Sequence, residues 1–271
     1  MGSTVAKIFA IANQKGGVGK TTTCVNLAAA LAATRKQVLL VDMDPQGNAT
    51  MGSGVDKYEL ELSVYDVLVE RTAVASVLSR SQEGGFDVLA ANSDLTAAEV
   101  ELIDAEGRER RLLDGLQDVR EFYDYILIDC PPSLNMLTLN GLVAADSVLI
   151  PMQCEYFALE GLSALVDTIQ RVADSVNPQL HIEGLLRTMY DPRNSLTNDV
   201  SAQLQSHFGD SVYRTVIPRN VRLAEAPSFG LPVIQYDPRS RGAKAYLALA
   251  GEVIRRGEQA PVSETSVEMN S

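Results

Sequence analysis

Val5–Ala12 (VAKIFAIA) leads directly into Asn13-Gln14-Lys15-Gly16-Gly17-Val18-Gly19, and from Lys20 onward the chain reads KTTTCVNLAAALAA. The first stretch is a short, mostly apolar run with the pattern of a buried strand. The second is a glycine-rich loop, and the third is an Ala- and Leu-rich segment long enough for three or more helical turns. Glycines let a backbone turn tightly and aim its N–H groups at one point, and a helix start adds a dipole that favours an anion there. Lys15, Gly16, Gly17, Val18, Gly19, Lys20, Thr21 and Thr22 are therefore a candidate cradle for a triphosphate. Lys20 is placed to reach the β- and γ-phosphates, and the Thr21 hydroxyl to ligate Mg²⁺ directly. The usual pattern has a glycine five residues before Gly19, where this chain has Gln14. A second lysine, Lys15, stands next to it.

Working outward, Gln37–Val41 (QVLLV) is a second apolar strand that ends in Asp42 and Asp44. Strand, loop, helix, strand is a βαβ unit, which implies parallel pairing through a right-handed crossover. The alternation continues, with strands expected at Phe86–Ala91, Tyr125–Asp129, Ser147–Pro151, His181–Leu186 and Val212–Ile217. Helices are expected at Leu134–Ala144, Ala158–Val176, Ser195–Phe208 and Gly242–Arg256, and one or two charged surface helices between Leu95 and Leu116. The fold class that follows is α/β, a doubly wound and mostly parallel sheet with helices on both faces. Residues 1–256 read as one domain, and the polar, aperiodic residues 257–271 as a disordered tail.

In such a sheet ligands bind beyond the C-terminal ends of the strands, so Asp42, Asp44 and Asp129 are all expected near the phosphates. Asp129 closes the apolar run Ile126-Leu127-Ile128 in the manner of a Walker B carboxylate, which holds magnesium through water. Asp42 is expected to reach the same magnesium shell through water. Mg²⁺ and the loop donors would neutralise the transferring phosphoryl group, so no strong general base is required and hydrolysis is expected to be slow.

Bulk properties narrow the classes further. A chain of 271 residues with 46% hydrophobic residues can bury a substantial core. No apolar run approaches the length of a membrane span, and the N-terminus carries neither a signal-peptide nor a transit pattern, so a cytoplasmic protein without membrane attachment is expected. Cys24, Cys130 and Cys154 are odd in number and far apart, which suggests neither a disulfide framework nor a CxxC metal site. The net charge of −12 is unevenly spread: residues 51–130 hold 18 acids against 7 bases, and residues 181–256 hold 10 bases against 7 acids. A locally basic surface on the C-terminal part is compatible with that total.

The motifs taken together resemble one family. KGGVGKTT is similar to the deviant Walker A motif of the ParA and MinD superfamily, DPQGN to its nucleotide-sensing loop, and Asp129-Cys130-Pro131-Pro132 to its DxPP segment. Val216–Val233 (VIPRNVRLAEAPSFGLPV) closely resembles the adenine-side segment of the short chromosomal ParA type, also called Soj. The resemblance covers residues 5 to about 256. It implies an ATPase that forms an ATP-sandwich homodimer, in which Lys15 crosses to the partner's nucleotide, much as an arginine finger does. It implies that Asp44 orients the attacking water, and that Met189, Pro218 and Asn220 lie beside the nucleotide. Arg193 and Arg222 match family arginines that bind double-stranded DNA without sequence preference, and Arg219, Arg239, Arg241 and Lys244 share their basic region. The implied partner is a ParB-like centromere-binding protein that stimulates hydrolysis, and the implied setting is the nucleoid. No helix-turn-helix extension precedes the loop, so operator recognition is not expected. Arg187 stands where LLxTMYD calls for an apolar residue, and the sequence assigns it no role.

Two other classes share the scaffold. A MinD-like membrane-cycling ATPase should end in a basic amphipathic helix, whereas this chain ends in acidic residues interspersed with Pro, Gly and Ser. A nitrogenase iron protein needs two cluster cysteines per subunit, and only Cys130 is plausibly placed. A P-loop amide ligase is the remaining metabolic alternative.

Overall fold

The computed structural model describes residues 5–156 and 158–259. In chain order the elements are β1 (Lys7–Ile11), α1 (Lys20–Ala33), β2 (Val38–Asp42), α2 (Asn48–Gly52), α3 (Val64–Leu68), β3 (Ser79–Ser81), β4 (Phe86–Leu89), α4 (Leu95–Glu101), α5 (Arg111–Leu116) and β5 (Tyr125–Asp129). They continue with α6 (Met136–Ala144), β6 (Ser147–Gln153), α7 (Ala158–Ser175), β7 (His181–Tyr190), α8 (Ser195–Phe208), β8 (Val212–Pro218), α9 (Val221–Glu225), α10 (Val233–Tyr236) and α11 (Arg241–Gln259). The strands form one sheet in the order β3-β4-β2-β5-β1-β6-β7-β8. Every pairing is parallel except that of β3 with β4, a short antiparallel edge.

The sheet is buried on both faces, which is why its strands read as continuous apolar runs. Successive side chains still alternate between two cores. Ile8, Ala10, Leu39, Val41, Ile126 and Ile128 point into a layer with α3 to α8, whereas Phe9, Ile11, Val38, Leu40, Tyr125 and Leu127 point into the layer of α1, α10 and α11. The crossover through α1 leaves β1 on one face and the one through α6 returns on the other. The crevice between these two connections opens at the C-terminal ends of β1 and β5, and that topology places the site.

Three departures from the sequence reading have physical causes. β7 runs to Tyr190 rather than Leu186, because the polar Arg187 and Thr188 find buried partners of their own. Between Leu95 and Leu116 the helices are not purely superficial: Leu95, Ala98, Leu112 and Leu116 are fully buried against the sheet. The last helix continues to Gln259, so the expected tail boundary at residue 257 falls inside α11, and its remainder lies outside the described residues. The short elements α2, α3, β3, α9 and α10 lie outside the sequence expectation; three to five residues carry too little periodicity to register.

Candidate nucleotide site and basic surface

The loop between β1 and α1 turns at Gly17 and Gly19, whose φ angles of 74° and 89° are left-handed. A side chain at either would be strained, and Gly19 serves as the N-cap of α1 without any side-chain cap. The first amides of α1 are thus left to an outside acceptor. At Gly16 and Gly17 an added Cβ would meet open space, so the loop faces outward there rather than against packed protein. Its back is fixed from β7, where the buried Thr188 hydroxyl donates to the Val18 carbonyl at 2.7 Å.

Lys20 is nearly buried at 7% exposure and its ammonium reaches across the loop to the Lys15 carbonyl at 3.4 Å. Burial pulls its pKa below the ordinary lysine value, and the nearby Asp129, Cys130 and Asp44 counteract that. Lys15, by contrast, is exposed, and its ammonium pairs with Glu155 of the same chain at 2.5 Å. Glu155 lies in the connection from β6 to α7, 140 residues away, and nothing in the sequence pointed to it.

Asp42 and Asp129 occupy paired register positions at the tips of β2 and β5, and both are wholly buried. Their surroundings differ. The Asp42 carboxylate accepts from the Asp44 amide at 3.1 Å on one oxygen, and from the Thr50 amide and hydroxyl, each at 2.8 Å, on the other. Neither Asp129 oxygen accepts a well-formed hydrogen bond, although the Thr21 hydroxyl and the Lys20 ammonium lie close enough to favour its charged form. Burial pushes the Asp42 carboxyl up to about 6, with the Thr50 bonds opposing it, and burial followed by the charge of Asp42 drives Asp129 well above the carboxylate range. A buried carboxylate without donors costs several kcal/mol unless a cation or proton arrives. Asp44 lies a little further out, half-buried, with one oxygen accepting from the Gln46 amide at 3.0 Å.

The strand tips on the other side of the loop carry the expected base-side residues. Met189, with a left-handed φ of 48°, follows Thr188, and β7 and β8 pair Tyr190 with Pro218. Asn220 caps α9 through its side-chain oxygen, which accepts from the Arg222 amide at 3.0 Å. Met189, Pro218 and the back of the glycine loop are therefore contiguous through β7. Arg187 has a structural explanation: its buried guanidinium donates to Ser201 Oγ at 2.7 Å and to the Tyr213 carbonyl at 2.8 Å, stitching α8 and β8 to β7 where their register shifts.

The arginines expected on a basic surface are exposed, but two are not free. Arg193 is clamped by both oxygens of Asp191, whose carboxyl it holds down at about 2. Arg222 pairs with Glu225 at 2.7 Å and Asp237 at 3.3 Å. Arg219, Arg239, Arg241 and Lys244 are exposed around them. The three cysteines are buried and unpaired. No helix among the described residues is long and apolar enough to cross a membrane.

A glycine loop between β1 and α1, a buried lysine at its end and carboxylates on the adjoining strand tips define a P-loop nucleotide-binding protein. A family model described as an AAA domain matches residues 6–182. The sporulation initiation inhibitor protein Soj of Bacillus subtilis is 55% identical over 93% of this chain and 100% of its own length, and the chromosome partitioning protein ParA of Caulobacter vibrioides is 52% identical over 94% and 97%. Among solved structures, a cobyrinic acid a,c-diamide synthase from Mycobacterium smegmatis, with bound ATP analogue and magnesium, superimposes with a TM-score of 0.83 at 38% identity over 95% of this chain and 98% of its own. The cell division ATPase MinD of Pyrococcus furiosus does so with a TM-score of 0.77 at 26% identity over 93% and 99%. The chain belongs to the Soj/ParA family of chromosome-partitioning ATPases.

Proposed function

We propose that this chain is an ATP-dependent DNA-partitioning switch. In this reading ATP drives a sandwich homodimer, the dimer holds double-stranded nucleoid DNA without sequence preference, and a ParB-like centromere-binding protein stimulates slow hydrolysis to ADP and phosphate, which releases it. The observation that carries the reading is the wholly buried Asp129 carboxylate, without a well-formed hydrogen bond, beside Thr21 and Lys20 at the mouth of the glycine loop. Such a group calls for a cation. Among the described residues no group of His, Cys, Asp and Glu could hold a metal unaided, so the ion would have to complete its shell with phosphate oxygens.

The donors fit magnesium held by the Thr21 hydroxyl and, through water, by Asp129. When bound, the ion would draw charge off the phosphoryl group. The chain's own residues do the rest. The loop amides and Lys20 hold the phosphates, and Asp44, half-buried at the rim, orients the attacking water. Lys15 leaves Glu155 to reach the nucleotide of a second subunit. Met189, Pro218 and Asn220 border the base, and the arginines about Arg193 and Arg222 contact DNA phosphates.

Identity falls from 55% with a partition protein to 38% with the amide-forming synthase, which favours partition over ligation. The test is retention of non-specific DNA in a gel with ADP, ATP or a non-hydrolysable analogue across a salt series. Retention with ATP or the analogue, weakening steeply with salt, supports the reading. Nucleotide-independent retention, or ATP-dependent binding to anionic liposomes in its place, overturns it in favour of a MinD-like cycle.

A further inference from the structure

The two buried carboxylates at the strand tips are not equivalent. Asp42 has both oxygens committed to protein donors, and those donors come from the two ends of one loop. Asp44 N–H belongs to the first residues after β2, and Thr50 lies in α2, eight residues beyond Asp42. Thr50 is itself wholly buried, and its hydroxyl oxygen accepts the Ala91 amide at 2.9 Å. An amide can only donate, so the Thr50 proton is left to point at Asp42. The same stretch beyond β4 closes on the loop a second time. Gly47, at a left-handed φ of 59°, lies so near the Ala91 carbonyl that an added Cβ would come within 2.7 Å of it. The loop bearing Asp44 is thus pinned from beneath by a carboxylate, a hydroxyl and the backbone that follows β4.

We propose that Asp42 and Thr50 form a positioning unit for Asp44: the Asp42 carboxylate, with protein donors on both oxygens, anchors both ends of the Asp44 loop and fixes its distance from the phosphates, leaving the cation to Asp129. This replaces the expectation that Asp42 reaches magnesium through water, and it rests on the hydrolytic role proposed for Asp44. Thr50 is a positioning residue; it touches neither nucleotide nor metal.

The test compares Thr50→Val, which keeps the shape and loses the hydroxyl, with Thr50→Ser, which keeps the hydroxyl, in the full chain. Three quantities are read: hydrogen exchange at the Asp44 and Thr50 amides, the Mg²⁺ midpoint for binding a fluorescent ATP analogue, and ATP turnover. For Thr50→Val, exchange should quicken and turnover should fall about tenfold, the scale for losing a hydrogen bond to a charged group. The Mg²⁺ midpoint should stay within about threefold, since no bond to the ion is lost. Thr50→Ser should restore both exchange and turnover. A Mg²⁺ midpoint raised about tenfold, with turnover recovered at high Mg²⁺, would make Asp42 a metal residue and overturn the proposal. Wild-type turnover in Thr50→Val would overturn it as well. If Thr50→Val does not fold, Asp42→Asn carries the same three readings. Should the wild type and Asp44→Ala turn over ATP alike, the hydrolytic reading of Asp44 fails instead, and the exchange comparison still decides whether Asp42 and Thr50 anchor the loop.

Discussion

The strand-tip site and the C-terminal basic surface both concentrate charge, but they treat it in opposite ways. At the strand tips Asp42, Asp129 and Lys20 are buried, and Asp129 accepts no well-formed hydrogen bond within the fold. On the basic surface Arg193 and Arg222 are exposed and already paired, with Asp191, Glu225 and Asp237. Buried, unpaired charge is expensive and is retained only where a ligand completes it. Exposed pairs are individually worth ~0–1 kcal/mol and are screened by salt. One region holds charge that the fold leaves short of donors, and the other holds charge that it pairs at the surface.

The largest expected effect tests that demand directly. Lys20→Ala should weaken binding of a fluorescent ATP analogue by about 100-fold or more, because the lysine is desolvated and aimed into the loop. A loss below about threefold would remove the contrast altogether.

Next comes Asp129→Asn, which should stabilise the ligand-free protein. Both strand-tip carboxyls are raised by burial, so the folded chain keeps protons that the unfolded chain releases. Their contribution is full below 3.8, the ordinary carboxyl value, and is lost as pH rises through about 6 for Asp42 and through the raised pKa of Asp129. Thermal unfolding at pH 7 should show the variant more stable by about 1–3 kcal/mol, with the gap closing toward pH 4. Mg²⁺ and ATP, which should raise the wild-type melting temperature, should no longer raise that of the variant. A variant less stable than the wild type at pH 7 would mean that Asp129 has a partner in solution.

On the accepting side, Arg222→Ala should reduce affinity for non-specific DNA by only about three- to tenfold and lower the slope of log affinity against log salt by about 1. ATP binding should be unchanged. The smallest effect belongs to Glu155→Gln. The Lys15–Glu155 pair is half exposed, so its loss should change stability by less than about 0.5 kcal/mol in chemical denaturation. A cost above about 2 kcal/mol would place that pair with the buried charges instead.

Much of this was legible in the chain itself. Tyr125–Asp129 and Ser195–Phe208 fall where the sequence reading put them, because clear signals bound them: an aspartate closing the strand with two prolines beyond it, and Asn194 and Gly209 around the helix. The glycine loop was legible for the same local reason, since left-handed turns need glycine. Asp42 and Asp129 looked alike because each simply ends an apolar strand. Arg187 looked misplaced because its acceptors lie on other elements, at Ser201 and Tyr213.

The order of strands and helices, and the segments that bear phosphate-binding chemistry, were written into local pattern, because backbone propensity and glycine conformation act over a few residues. Which charge is satisfied and which is left waiting was decided only on folding. Thr188 meets Val18 across 170 residues and Lys15 meets Glu155 across 140, and no local pattern encodes a hydrogen bond whose two halves the sheet brings together.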